Sequence, residues 1–285
     1  MNLCIQTYTM ARGRDASRPM DIKALCAFAR KLGLDAIDWC GTHGLDPKDI
    51  RRMTDDFGIR NVCHTIFGVD LDQPSPSARA AGRDAFRAGL DIARTLGAKM
   101  VMLPPKGNPA HGRGQCFRNY VAGLNEVMAD AKAAGITVTV EHFPAASSPF
   151  VSSDDLNRAV AEVPGLKICF DNGNVTTAGE NAGEAFRRNA KDVVHAHFKD
   201  FEFFDHEEPG ARQGLDGRWM RATLVGEGGV DQRGTLKAMK ECGFDGYINF
   251  EYEGSQLTPT EATIVGVRRI RRWMKELGIP YDFAR

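Results

Sequence analysis

Short runs of β-branched and aliphatic residues recur along the chain, separated by longer stretches whose apolar residues follow helical spacing. The runs predict strands over 3–9, 36–40, 61–66, 99–103, 137–143, 167–171, 193–199 and 247–252. The intervening stretches predict helices over roughly 21–32, 47–57, 76–96, 114–134, 153–162, 180–190, 231–242 and 258–277. Gly33, Gly58, Gly97, Gly135 and Gly243 each close one of these helices just before a strand. Glycine accepts the positive φ of a helix C-cap, so this punctuation is that of repeated α-to-β turns.

Eight strands alternating with eight helices close as a (β/α)8 TIM barrel or lie open as a doubly wound sheet. A chain of 285 residues fits the barrel, for which about 250 is typical. No G-x-G-x-x-G follows the first strand, which disfavours the dinucleotide-binding alternative. The expectation is one barrel domain over 1–285. The segment 200–230, after the seventh strand, carries no clear element. A loop of that length reads as a lid or binding loop, and on a barrel it belongs at the C-terminal face. Its acidic run at 205–209 reads as a solvated tip.

Composition narrows the function classes. Lys plus Arg and Asp plus Glu each total 37, so the net charge is zero and nothing favours nucleic acid or an anionic membrane. Hydrophobic residues at 42 % and charged residues at 26 % describe an ordinary globular protein. No run approaches the ~18 apolar residues of a membrane span. The first residues lack a basic-then-apolar leader, which gives a cytoplasmic expectation. The seven cysteines are scattered and never form C-x-x-C, as in a protein with reduced thiols.

The candidate chemistry lies at the ends of the last four strands. Glu141 closes the fifth, Asp171 the sixth, His197 stands near the end of the seventh, and Glu251 near the end of the eighth. Strand alternation turns Glu141 to the face opposite Val138 and Val140, and the same phase turns Asp171, His197 and Glu251 inward. Three carboxylates and an imidazole packed together need a cation to offset repulsion and desolvation. Oxygen-rich ligation with one His favours Mn2+ or Mg2+ over thiolate-type zinc.

These residues resemble those of the xylose-isomerase-like TIM-barrel superfamily, the sugar phosphate isomerase/epimerase family. The resemblance runs from the segment 33–38 to the segment 243–251, and with 197–200 the latter is its most specific part. It implies a divalent metal, Mn2+ first and Mg2+, Co2+ or Zn2+ as alternatives, held by Glu141, Asp171, His197 and Glu251. It also implies that Glu141 and Glu251 flank the substrate and move protons. Homo-oligomers are common in such proteins.

The chain departs from the family pattern at two points. Where D-x-x-H is frequent, it reads Asp171-Asn172-Gly173-Asn174, and Asn174 can hydrogen-bond a hydroxyl but cannot titrate near neutrality. Beside Glu141 stands His142, an added imidazole that alternation points away from the axis unless the strand has already curled. His64, at the end of the third strand, has the height for a substrate hydroxyl. Lys199 is inward and one step above His197, suited to stabilising an enediolate. Glu227, in Gly226-Glu227-Gly228, matches a recurrent family loop and is a candidate for orienting substrate. His195 reads as a satisfied core histidine, Trp39 as packing and Lys106 as a solvated loop lysine.

The expected activity is a metal-dependent isomerase or epimerase of a small sugar or keto-sugar, acting through a cis-enediolate with Glu141 and Glu251 as the proton-transfer pair. The alternative is a lyase or dehydratase of a keto-sugar or keto-inositol, including the C-glycoside-cleaving type, and His142 is the feature favouring it. Endonuclease IV-type DNA repair ranks lower, because zero net charge and few inward histidines oppose it. A sugar-binding relative without catalysis ranks lower still, since all four ligand types are present.

Overall fold

The computed structural model describes residues 1–15 and 17–281. Eight parallel strands close a barrel: β1 (Asn2–Gln6), β2 (Ala36–Cys40), β3 (Arg60–Thr65), β4 (Met100–Leu103), β5 (Thr137–Glu141), β6 (Lys167–Asp171), β7 (Val193–Phe198) and β11 (Tyr247–Phe250). β1 pairs with both β2 and β11, which closes the ring and leaves it without an edge. Helices α2 (Ile22–Lys31), α3 (Pro47–Asp56), α4 (Ala80–Leu96), α5 (Arg113–Ala134), α6 (Ser153–Glu162), α7 (Ala182–Asn189), α8 (Gln232–Glu241) and α9 (Pro259–Glu276) lie between or after the strands.

Local sequence sets the helix ends. Asp21, Asp46, Asn181 and Asp231 cap their helices through side-chain oxygens that accept backbone N–H bonds. Ser152 with Asp155, and Thr258 with Glu261, form reciprocal capping boxes. The five helix-closing glycines of the sequence all have positive φ. Residues facing the helices, such as Trp39, Val140, Ile168, Phe170 and Phe198, join one continuous core. Inside the ring a smaller cluster of Cys63, Met102 and Cys169 fills the axis. All seven cysteines are unpaired.

Two stretches differ from expectation. The first strand stops at Gln6, and the chain turns into a short helix, α1 (Thr7–Ala11). The hydroxyls of Thr7 and Thr9 accept the backbone N–H groups of Cys40 and Tyr252, at 2.8 and 2.9 Å, where ladder partners end. The segment 200–230, expected without elements, carries a small antiparallel sheet: β8 (Asp200–Phe204), β9 (Arg212–Gln213) and β10 (Trp219–Thr223), in the order β8-β10-β9. Its alternation was too short and too charged to stand out. The sheet docks beside the short 3-10 helix Asn174–Ala178 that follows β6, with Leu215 N–H donating to Thr177 O at 2.7 Å.

Asp200 fixes the root of this excursion. Its carboxylate accepts N–H bonds from Phe201, Gly226, Gly228 and Val230 at 2.8 to 3.2 Å. A Cβ at Gly228 would stand 2.3 Å from both Asp200 Oδ1 and Phe201 O, so only glycine fits there.

Candidate active site

Strand phase delivers the four late residues to one point. Asp171 is level with His197 across β6 and β7, and Asn249, two residues before Glu251, is level with His197 on the other side. His197 Nδ1 lies 3.2 Å from Glu141 Oε2, 3.3 Å from Glu251 Oε2 and 4.0 Å from Asp171 Oδ2. All four side chains are buried. Neither ring nitrogen of His197 makes a hydrogen bond to a described residue, nor does Asp171 Oδ2. Donor atoms this close and buried could hold a metal ion between them. The Glu141, Asp171 and His197 donors lie within 4.8 Å of one another. A divalent cation fits this set by charge and by donor type, with Glu251 as the fourth donor.

Lys199 supplies the other positive charge. Its Nζ donates to Glu251 Oε1 at 2.8 Å and lies 3.1 Å from Asp171 Oδ2 and 3.5 Å from Glu253 Oε1. Burial works against the ammonium, but Asp171, Glu251 and Glu253 raise its pKa well above the usual value. Burial also works against the Glu251 carboxylate, yet Lys199 and His197 hold it well below the usual range. Asp171 is the opposite case. Burial pushes it up to about 7 despite Lys199, with Glu251 and Glu141 adding to the rise. The difference is geometric, because Lys199 hydrogen-bonds Glu251 directly and reaches Asp171 Oδ2 only as a charge 3.1 Å away.

Glu141, His197, Lys199 and Glu251 line a cavity of about 380 Å3, and Asp171 lies fully buried beside them, off its lining. Its wall includes Gln6, Tyr8, Thr65, Asn174, Arg212 and Glu253. A larger cavity of about 540 Å3 adjoins it and contains none of the four late-strand residues.

A family model for xylose isomerase-like TIM barrels matches residues 26–277. The chain belongs to that family. Among curated proteins, an inosose dehydratase of Lacticaseibacillus casei is 22 % identical over 230 residues, covering 73 % of this chain and 74 % of the relative. Among solved structures, a D-tagatose 3-epimerase-like protein superposes with a TM-score of 0.76 at 16 % identity, covering 98 % of each chain. The IOLI protein, whose crystal structure holds a zinc atom, superposes with a TM-score of 0.76 at 17 % identity, covering 97 % of this chain and 98 % of that one. These two share the fold, and the zinc belongs to the latter.

Within this family member the secondary candidates divide. Lys199 and Asn174 are on the cavity wall. Asn174 donates from Nδ2 to His142 O at 2.9 Å, and its Oδ1 is left without a bond to described residues.

His142 is not on that wall. Its ring packs edge-on against Phe170, centroids 5.1 Å apart, in the layer between strands and helices. Alternation holds through it, and burial drives its pKa down to about 3, so it is neutral. His64 also misses the cavity, and Thr65 lines it instead. A register shift pairs Ile37 with Asn61 but Asp38 with Cys63. That bulge flips the phase of β3 and turns His64 toward the helices. Glu227 points away as well: its carboxylate pairs with Arg269 of α9 at 2.8 Å. The role of the Gly226-Glu227-Gly228 turn here is to fit around Asp200.

Other residues at the centre were missed by sequence reasoning. Arg212 reaches the cavity from β9, lies 3.6 Å from Glu253 Oε2 and stacks over Phe201 at 4.6 Å. No motif marks it, because the excursion had no recognised element. Beneath His197, Asp38 is fully buried and takes bonds from His195 Nε2 at 2.8 Å and Asn249 Nδ2 at 3.0 Å. His197 Nε2 lies 3.6 Å from the same Asp38 Oδ2. The inward phase of Asp38 in the run Ala36–Cys40 was the available signal.

Proposed function

We propose that this protein is a metal-dependent epimerase or isomerase of a ketose or keto-sugar, with Glu141 and Glu251 exchanging the substrate proton. The observation that carries the reading is the pair of carboxylates within 3.2 and 3.3 Å of His197 Nδ1 on the cavity floor. A sugar lying over that point has one carboxylate toward each of two sides, as proton removal and return require. Bound by Glu141, Asp171, His197 and Glu251, a divalent ion supplies Lewis-acid polarisation of a substrate carbonyl, and Mn2+ suits this oxygen-rich set.

The chain's own groups do the rest. One Glu takes the proton from the carbon beside the carbonyl, and the other returns a proton to the opposite face or to the neighbouring carbon. Lys199 Nζ, already bonded to Glu251, steadies negative charge developing on the substrate oxygens. Asn174 Oδ1 and Arg212 offer an acceptor and donors for sugar hydroxyls. The excursion 200–230, which brings Arg212 to the cavity, acts as a lid.

A second reading is elimination of water from a keto-inositol or keto-sugar by the same proton abstraction. Its support is the sequence similarity to an inosose dehydratase. Against it, the added imidazole of His142 is turned to the helix layer. The test is proton NMR of metal-loaded enzyme with a panel of ketoses and keto-inositols. The proposal expects an epimer or isomer of unchanged mass, and a dehydrated product contradicts it.

A further inference from the structure

The cavity does not end at the sugar-sized floor. A second lobe of about 540 Å3 shares Phe67, Pro104 and Phe143 with the first, which is about 380 Å3. Ile66, Val69 and Pro109 complete its apolar side, and Asp70, Lys106 and Asn108 line the rest, so Lys106 borders this lobe. Tyr8 and Phe67, which line the first lobe, are 37 % and 56 % exposed. With Leu215 they are the large hydrophobic residues exposed among those described. A single exposed apolar side chain is ordinary, but two aromatic rings on one cleft mark a binding surface.

The wall of this lobe is built, not loose. Buried Asp72 accepts the N–H of Asn108 at 2.7 Å and the Nδ2 of Asn119 at 2.8 Å, and lies 3.1 Å from His111 Nδ1. On the other side Ser148 Oγ donates to Pro105 O at 2.8 Å. Gly107 passes so close to Ser147 that a Cβ there would stand 1.9 Å from Ser147 O. The loop carrying Pro104 to Pro109 is therefore pinned from both flanks. A preformed surface binds without an ordering cost.

We infer that this lobe is a subsite for an aromatic substituent carried by the sugar, so that an aryl-bearing keto-sugar is preferred over a free ketose. The inference rests on the proposed sugar chemistry at Glu141 and Glu251. Pockets of about 300–1,000 Å3 hold drug-sized ligands, so the first lobe alone accommodates a hexose and the second remains for another group. Only the Asp70, Lys106 and Asn108 part of the lining offers a hydrogen-bond partner, and against Ile66, Val69, Pro104 and Pro109 a second hydroxyl-rich ring finds none. An aryl group needs none there and gains edge and stacking contacts with Phe67 and Phe143.

Titration calorimetry with methyl β-D-glucopyranoside and 4-nitrophenyl β-D-glucopyranoside tests this, since the probes differ only in the substituent. The aryl glucoside should bind at least ~10-fold more tightly. Val69→Asp should bring the ratio near one, Val69→Leu should preserve it, and Phe67→Ala should lower it at an exposed position where folding is not at stake. A ratio near one in the wild type, or the absence of detectable binding by either probe, overturns the inference. So does a ratio unchanged by Val69→Asp and Phe67→Ala, or scattering data showing a second copy of the chain over this lobe. Binding needs no turnover, so the two readings fail separately. Aryl preference without any epimer formed sinks the proposed reaction and keeps the subsite. Epimerised free ketose with no aryl preference sinks the subsite and keeps the reaction.

Discussion

Glu141 and Glu251, from β5 and from the residue just after β11, approach the same nitrogen, His197 Nδ1, at 3.2 and 3.3 Å. Neither contact has the alignment of a hydrogen bond. Two carboxylates converging on an unbonded imidazole nitrogen suit a cation, and in the proposed reaction they are the two bases. The predictions below separate those properties.

The first concerns the ion. Purified protein should carry about one divalent metal per chain by elemental analysis, and EDTA should lower its melting temperature, because a ligand bound only to the native state stabilises it. Asp171→Asn and His197→Ala should each lose the metal. Full metal content in both variants would exclude this centre.

Lys199 is the buried ammonium among these carboxylates. Replacing it with Met leaves Glu251 and Asp171 buried with one positive partner fewer. Breaking such a buried pair costs about 3–5 kcal/mol. Metal-free Lys199→Met should therefore melt well below metal-free wild type, and added metal should recover most of the difference. Thermal melts with and without Mn2+ read this directly, and equal metal-free melting temperatures would contradict it.

His142, fully buried against Phe170, gives a pH signature of its own. Its folded-state pKa of about 3 lies below the ~6.5 of an unfolded histidine. The unfolded chain therefore takes up the proton first as pH falls. Its contribution to stability is fully present above ~6.5 and is lost progressively toward 3. His142→Leu should lose less stability than wild type between pH 6.5 and 4.5 in urea titrations, while its turnover at neutral pH persists. Abolished turnover would return His142 to the chemistry.

Much of this architecture was legible in the sequence because period and punctuation agree. The placement of Glu141, Asp171, His197 and Glu251 followed from alternation at the strand ends, because the register shift in the β6–β7 pair lies earlier, at Ile168/Cys169. His64 was misjudged because a bulge in the β2–β3 register cannot be seen in one strand's pattern. Glu227 was misjudged because a turn motif says nothing of where its side chain points, and Arg269 on a distant helix decides that. Arg212 and the second lobe were invisible because long-range packing, not local pattern, brings β9 and the 104–109 loop to the cavity.

The central claim is a proton pair, and solvent deuterium exchange tests it most directly. Metal-loaded wild type in D2O should place deuterium on the carbon beside the substrate carbonyl, read by NMR and mass. Glu141→Gln and Glu251→Gln should keep the metal and lose at least ~10²-fold in turnover, the low end for general acid–base catalysis. The variant lacking only the returning Glu should still exchange that carbon with solvent, and its counterpart should do so far more slowly. Turnover with both Gln variants active, or with His142→Ala alone inactive, would contradict the account.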